Sequence, residues 1–135
     1  MIAHVSKLIV CLTAACLLSA CGGPLGMLAG GKLDGDVVAF SDDAIPAQGG
    51  VIQLETRPQD PYSVNIGTVV IAGSLYMDPA AERRWYQHIQ ADPNIRIRFD
   101  GEETVYTALA SAETDPNVLS QFEPDRVVLR IGPRE

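Results

Sequence analysis

Residues 62–77, YSVNIGTVVIAGSLYM, decide the fold. Apolar side chains alternate with polar ones at first and then occupy both faces, which predicts one central β-strand over residues 62–71. Ala72-Gly73 then reverses the chain, because glycine readily adopts the positive φ that a tight hairpin turn requires. Residues 74–77 are predicted to pair back, so this stretch forms a β-hairpin at the centre of a sheet.

Further strands and two helices are predicted on either side of this hairpin. Asp78-Pro79 and Asp115-Pro116 each combine an N-cap aspartate with proline at the first helical position. They predict helices over residues 78–91 and 115–122. Hydrophobic alternation and turn residues predict the other strands, at residues 32–40, 51–56, 95–99, 104–110 and 126–131. Roughly six or seven strands with two helices predict a mainly β protein, a small antiparallel β-barrel.

The N-terminal part of the chain resembles a bacterial lipoprotein signal peptide. Leu18-Ser19-Ala20-Cys21 matches the lipobox, and the apolar run before it is shorter than the roughly 20 residues that span a bilayer. The resemblance implies cleavage before Cys21 and a lipid on its sulfur, so the membrane is an expected partner. We therefore expect a signal peptide at residues 1–20, a flexible glycine-rich tether at 21–31 and a folded domain at 32–135.

The residue after the lipobox cysteine and the overall charge bear on location and partners. Gly22 stands where aspartate favours inner-membrane retention, so by resemblance the expected location is the periplasmic face of the outer membrane, in the cell envelope. The 135-residue chain carries a net charge of −7 and all its acidic residues follow Cys21. An acidic domain repels phosphate backbones, so we do not expect nucleic-acid binding. After cleavage Cys21 is the remaining cysteine, and no metal site is predicted.

A resemblance to a protein superfamily rests on several short runs of sequence. These are Ser63-Val64-Asn65-Ile66, the hairpin from Val69 to Tyr76, Arg84-Trp85, His88-Ile89, Ala91-Asp92-Pro93 and Ile95-Arg96-Ile97-Arg98. Together they resemble the split β-barrel proteins of the pyridoxamine-phosphate-oxidase-like superfamily, including deazaflavin-dependent nitroreductases. The resemblance implies a split β-barrel, a homodimer, and FMN or F420 held in a groove between subunits. It also implies candidate cofactor contacts at Arg57, Asn65, Arg84, Tyr86 and His88.

The same residues allow plainer interpretations. The arginines Arg57, Arg84, Arg96 and Arg98 either form an anion patch or, as we favour, pair with neighbouring carboxylates. Trp85 fits a helix face that packs in the core, and His88 beside it fits a partly buried structural role. Asp78 as the helix cap would compete with a phosphate for the helix N-terminus.

Two functions therefore stay open. The first is a non-catalytic envelope lipoprotein that binds an unknown ligand or partner, which we favour. The second is a flavin- or deazaflavin-binding oxidoreductase related to nitroreductases. No catalytic residue is assigned from the sequence. The apolar hairpin residues Val69, Ile71 and Tyr76 predict a surface that a second copy of the chain covers.

Overall fold

The computed structural model describes residues 22–134. The predicted signal peptide and Cys21, the predicted site of lipid attachment, lie outside this range. Within residues 22–134, no helix is long and apolar enough to cross a membrane. The boundaries proposed for the signal peptide, tether and domain therefore stay predictions.

The described residues form a curled, mostly antiparallel sheet of eight strands. The strands are β1 (Val37–Ala39), β2 (Val51–Thr56), β3 (Tyr62–Gly67), β4 (Val69–Ile71), β5 (Ser74–Met77), β6 (Asn94–Phe99), β7 (Val105–Ala112) and β8 (Leu129–Gly132). Their order is β3-β2-β6-β7-β8-β5-β4, and β1 pairs in parallel with the first half of β7. This arrangement is a small split β-barrel, as predicted.

The sheet is curled, and its two end strands, β3 and β4, follow each other in the chain with only Thr68 between them. The prediction of one unbroken, central strand over residues 62–71 was wrong, because the stretch changes partner at Thr68 and its two halves are the end strands of the sheet. Before Thr68 it pairs with β2, and after Thr68 it pairs with β5. The Thr68 amide and hydroxyl both donate to the carbonyl of Gly50, at 2.9 and 2.7 Å. A Cβ on Gly49 would lie 2.3 Å from the Thr68 carbonyl oxygen, so glycine is required at this crossing.

The hairpin turn was predicted correctly, whereas the first strand is shorter than expected. Ala72 and Gly73 both have positive φ, 49° and 78°, as a two-residue turn of the primed type needs. Over residues 32–40 the strand is limited to Val37–Ala39. Leu33, at 0% exposure, is nevertheless buried, because it packs on the outer face of β2 and β6 rather than in a strand.

The described residues form two helices: α1 (Arg84–Ala91) packs on β2 and β3, whereas α2 (Pro116–Leu119) is a short turn of helix without a buried residue. Asp115 accepts a hydrogen bond from the Asn117 amide at 2.9 Å, so the second predicted cap is confirmed. The predicted helix cap at Asp78 was wrong, since α1 begins at Arg84, six residues after Asp78. Met77 is held in β5 opposite β8 and Pro79 is buried, and these contacts override the local capping preference. A 3₁₀ turn, Asp42–Ala44, lies between β1 and β2.

The core lies inside the curled sheet and under α1. It is made of aliphatic and aromatic side chains from β2, β5, β6, β7, β8 and α1, with Ile52, Leu54, Leu75, Ile95, Ile97 and Ile131 among its most buried members. Trp85 and Ile89 close it from α1. Trp85 is 8% exposed, so the prediction that it is a core residue is confirmed.

The glycine-rich residues 22–31, predicted to be a tether, lie along the free edge of β3. Gly30 and Ser63 exchange two backbone hydrogen bonds, each of 2.9 Å. At the far end, residues 25–28 make a tight turn, which we call the tip loop. The Leu25 and Leu28 backbones are bonded to each other across it, at 3.1 and 2.8 Å. This segment covers an edge that would otherwise expose unpaired backbone groups.

Candidate functional site

A groove of about 1020 Å³ lies beside β3 and β4. We call it the β3–β4 groove. One wall is residues 64–69 of β3 and β4, and the opposite wall is the turn at 77–80 and 82–85. The tip loop contributes residues 26–28, and Tyr62 and Arg126 also line the surface. Its size lies at the upper end of the range for small-molecule sites.

The lining of the groove is apolar on the strand side and charged on the turn side. Val64 and Ile66 lie on the strand side, whereas Arg83, Arg84 and Arg126 lie on the turn side. The carboxylates Asp78 and Glu82 also line it, so the arginines outnumber the acids here although the whole chain has a net charge of −7. The groove therefore has a small local excess of positive charge, which can accept an anionic group.

The arginines of the groove differ in how they are engaged. Arg126 lies 3.8 Å from the Glu123 carboxylate, and its guanidinium donates to the Asp78 carbonyl at 3.5 Å. Within residues 22–134, Arg83 and Arg84 form neither an ion pair nor a side-chain hydrogen bond. Both are exposed, so they can turn toward a ligand at little cost.

The start of α1 corrects the expectation that an aspartate blocks it. The N-cap residue is Arg83, and no side chain caps the first turn. Asp78 lies five positions before this N-cap, outside the helix, so its carboxylate does not occupy the helix N-terminus. The Tyr86 amide donates to the Arg83 carbonyl at 3.2 Å, whereas the Arg84 and Trp85 amides have no backbone acceptor among residues 22–134. The helix dipole places partial positive charge at these two amides. This charge adds to that of Arg83 and Arg84.

A second cluster forms around His88, beside the groove. The Thr56 hydroxyl lies 2.8 Å from His88 Nδ1, and it can donate to the Tyr62 carbonyl at 3.4 Å while accepting from Nδ1. The other ring nitrogen, Nε2, is 3.5 Å from the Arg57 guanidinium. The Tyr62 ring meets the imidazole edge-on, with centroids 5.0 Å apart. These contacts fix the orientation of the ring.

The electrostatic surroundings keep this imidazole neutral. Partial burial lowers the pKa of His88, and the positive charges of Arg57 and Arg84 lower it further. The Asp60 carboxylate acts in the opposite direction, but it is paired with Arg57 at 3.3 Å. His88 is therefore an uncharged hydrogen-bonding group at neutral pH.

The candidate cofactor contacts named from the sequence do not lie together: some line the β3–β4 groove and others belong to the His88 cluster. Asn65 and Arg84 line the groove, whereas Arg57 and His88 belong to the His88 cluster. Tyr62, which the sequence did not single out, lines the groove and contacts His88, so it joins the two. Tyr86 is half-buried and packs against the core. No prediction could find Tyr62 from its own residue type, because its role depends on the approach of α1 to β3.

Arg96 and Arg98 do not take part in an anion patch. Arg96 lies 3.7 Å from the Glu55 carboxylate and donates to the Leu33 carbonyl at 2.8 Å. Arg98 donates to the Gln53 side chain at 2.6 Å and to the Asp34 carbonyl at 2.7 Å. Glu55 is 2% exposed, although it lies on the face of β2 opposite the core residue Leu54. These groups fasten residues 33–34 to the sheet.

The hairpin residues expected at a subunit interface are unequally exposed. Val69 is 44% exposed, Ile71 is half-buried, and Tyr76 is buried at 5% exposure. The Tyr76 ring packs against Phe122 with centroids 6.4 Å apart. The expectation that Tyr76 is exposed was therefore wrong, and only the β4 part of the surface remains.

Comparison with known proteins supports the fold and nothing finer. No protein-family model matches the chain, and no curated protein does. A solved structure does match: a Listeria innocua protein described as "Putative Pyridoxamine 5'-phosphate oxidase", with a TM-score of 0.51 and 17% identity. The match covers 63% of this chain and 84% of that one. The chain thus shares the split half-barrel fold of pyridoxamine-phosphate-oxidase-like proteins.

Proposed function

We propose that this chain is a lipid-anchored protein of the bacterial cell envelope whose split-barrel domain binds a small, partly apolar anion. The observation that carries the binding role is the β3–β4 groove. Val64 and Ile66 offer an apolar wall, and Arg83 and Arg84 face them without carboxylate partners among the described residues. A bound molecule of this chemistry would bury its apolar part and pair its charge.

The anchoring role rests on the lipobox Leu18-Ser19-Ala20-Cys21. A lipid on Cys21 would hold the domain at the membrane, and the absence of aspartate at position 22 favours the periplasmic face of the outer membrane. Cys21→Ser, expressed in a Gram-negative host, is expected to lose the acyl label and to leave the membrane fraction. A variant that stayed acylated and membrane-bound would contradict the anchor.

Binding in the groove can be tested with two matched glycine substitutions. Gly67 lines the groove and Gly50 does not, yet an added Cβ meets nothing within 4 Å at either position. Gly67→Phe should therefore fill the groove while Gly50→Phe leaves it open. We expect native mass spectrometry of protein extracted from its host membrane to show a co-purified small molecule on wild type and Gly50→Phe, but not on Gly67→Phe. Equal retention by both variants would exclude the groove.

A flavin-binding oxidoreductase is the second candidate, because the chain shares its fold with a protein described as a pyridoxamine 5′-phosphate oxidase. The residues fit the phosphate of FMN, since Arg83 and Arg84 lie at the uncapped start of α1. When bound, such a cofactor would supply the hydride chemistry that side chains lack. The chain's own part would be to pair the phosphate and to pack apolar side chains against the ring.

One spectrum separates the two candidates. Flavin absorbance in the visible range from the purified protein, or its appearance on titration with FMN, would favour the oxidoreductase. Arg84→Ala should then weaken FMN binding about tenfold or more, as loss of a charge-assisted hydrogen bond does. Titration with FMN that leaves the spectrum of the free cofactor unchanged would favour the binding module.

We also propose a homodimer, on the exposed β4 edge around Val69 and the half-buried Ile71. An apolar strand of this kind is commonly covered by a symmetric copy. Light scattering of the detergent-solubilised chain should give twice the mass of the chain after subtraction of detergent. A monomer mass would contradict this.

A further inference from the structure

The tip loop exposes three large apolar side chains side by side. Leu25 is 74% exposed, Met27 is 101% exposed and Leu28 is 71% exposed. Exposed apolar residues are common singly, but a group of three on one projecting turn marks a surface that something covers. These are also the three most exposed large apolar side chains within residues 22–134.

Hydrogen bonds hold the loop in a defined position beside the edge of β3. The Gly31 amide donates to the Gly22 carbonyl at 3.0 Å and closes its base. The Asn65 side chain donates to the Gly26 carbonyl at 2.9 Å and fixes its apex to β3. The backbone amides and carbonyls of Leu25 and Leu28 are hydrogen-bonded to each other across the turn. Pairing of the Leu25 and Leu28 backbones and of the Gly26 carbonyl lowers the cost of bringing this turn toward an apolar medium.

The position of the loop in the chain indicates what covers it. Leu25 follows Cys21 by four residues, so even fully extended chain spans only about 14 Å between them at ~3.5 Å per residue. An acyl-bearing Cys21 would therefore hold the tip loop next to the bilayer. Arg83 and Arg84 line the same groove as Met27 and Leu28. Apolar side chains bordered by arginines are the composition of segments that lie in a membrane interface.

We propose that Leu25, Met27 and Leu28 insert into the membrane that holds the acyl chains, and that the occupant of this patch is lipid. The inference rests on the proposed lipid anchor. Insertion of three side chains beside the anchor would fix the orientation of the domain relative to the membrane. The acyl chains alone would leave the domain free to rotate. Because residues 26–28 also line the β3–β4 groove, the groove would open beside the lipid headgroups, where an amphiphilic anion is found.

The test places a fluorescent probe at the tip of the full, acylated chain. Met27→Cys and, as control, Val37→Cys would be labelled with an environment-sensitive dye. Val37 is a suitable control because it is 53% exposed and lies on β1, which is separated from β3 by β2, β6 and β7. The purified proteins would be reconstituted in phosphatidylcholine vesicles that carry a doxyl quencher near the headgroup. We expect a blue shift at position 27 and quenching several-fold stronger there than at position 37.

Equal quenching at the two positions would overturn the inference and leave the anchor intact. A blue shift at position 27 without quenching would also overturn it, because the tip would then be covered by protein. A parent chain that mass spectrometry finds without lipid on Cys21 would overturn the proposed anchor, and the inference with it.

Discussion

Glu55→Ala is expected to be among the most destabilising substitutions in this protein, although Glu55 lies on the face of β2 opposite the core. The carboxylate is 2% exposed and accepts a hydrogen bond from the Leu33 amide at 2.7 Å. It also lies 3.7 Å from the Arg96 guanidinium, directly across from it on β6. Removing the carboxylate leaves a cation and an amide without their partner in a site with little water.

The magnitude follows from how buried the two partners are. Breaking a buried ion pair by removing one side costs about 3–5 kcal/mol, whereas breaking an exposed one costs about 0–1 kcal/mol. The Arg96 side chain is 14% exposed, so water can reach part of it and the low end of the first range applies. We therefore expect Glu55→Ala to lower the free energy of unfolding by about 3 kcal/mol.

Urea denaturation followed by circular dichroism would measure this loss. Glu55→Gln keeps an acceptor for the Leu33 amide but removes the charge, so it should lie between wild type and Glu55→Ala. Glu123→Ala is the matched surface control, because its carboxylate lies 3.8 Å from Arg126 and is 82% exposed. A loss for Glu55→Ala no larger than that for Glu123→Ala would refute the reasoning.

Three shorter predictions concern the core, the histidine and the glycine-rich segment. Trp85→Ala should cost about 3–5 kcal/mol in urea denaturation, and a cost below about 1 kcal/mol would show that the side chain is not in the core. Because the pKa of His88 is lowered in the folded protein, the unfolded chain binds a proton at His88 more tightly, and the free energy of unfolding should fall as the pH drops below about 6.5. The His88→Gln variant should lack this part of the pH dependence. Identical profiles of stability against pH for the two proteins would contradict the prediction. Gly30→Ala would place a Cβ 2.4 Å from the Gly23 backbone, whereas Gly31→Ala meets nothing within 4 Å, so faster hydrogen exchange at the β3 edge is expected only for the first.

Local turn chemistry is what the sequence predicted best. Ala72-Gly73 contains glycine at a positive φ of 78°, and this turn joins β4 to β5 as predicted. The Asp115 cap likewise depends on atoms only two residues apart. Such features are determined within a few residues, so they could be recognised without knowledge of the rest of the fold.

Features that depend on distant parts of the chain could not be predicted in the same way. Asp78-Pro79 has the same chemistry as Asp115-Pro116, yet it starts no helix, because Met77 is paired with Leu129. Glu55 is buried because β6 places Arg96 opposite it.

The candidate site has the same dependence on distant contacts. Asn65 and Arg84 lie 19 positions apart and meet at one groove only after the sheet has curled. Sequence resemblance suggested these two residues, but it could not separate them from Arg57 and His88, which form their own cluster.

The position of β8 between β7 and β5 has a consequence for the order of folding. Strands β2, β3, β6 and β7 form one connected group, and β4 with β5 forms another; β8 is the strand that joins them on the side away from Thr68. Of the eight described strands it is also the last to leave a ribosome or a translocon. Closure of the barrel is therefore a late event that pairs residues far apart in the chain, which is the slow kind of contact. Chains arrested before Leu129 should stay protease-sensitive, and protection should appear once Leu129–Gly132 has emerged.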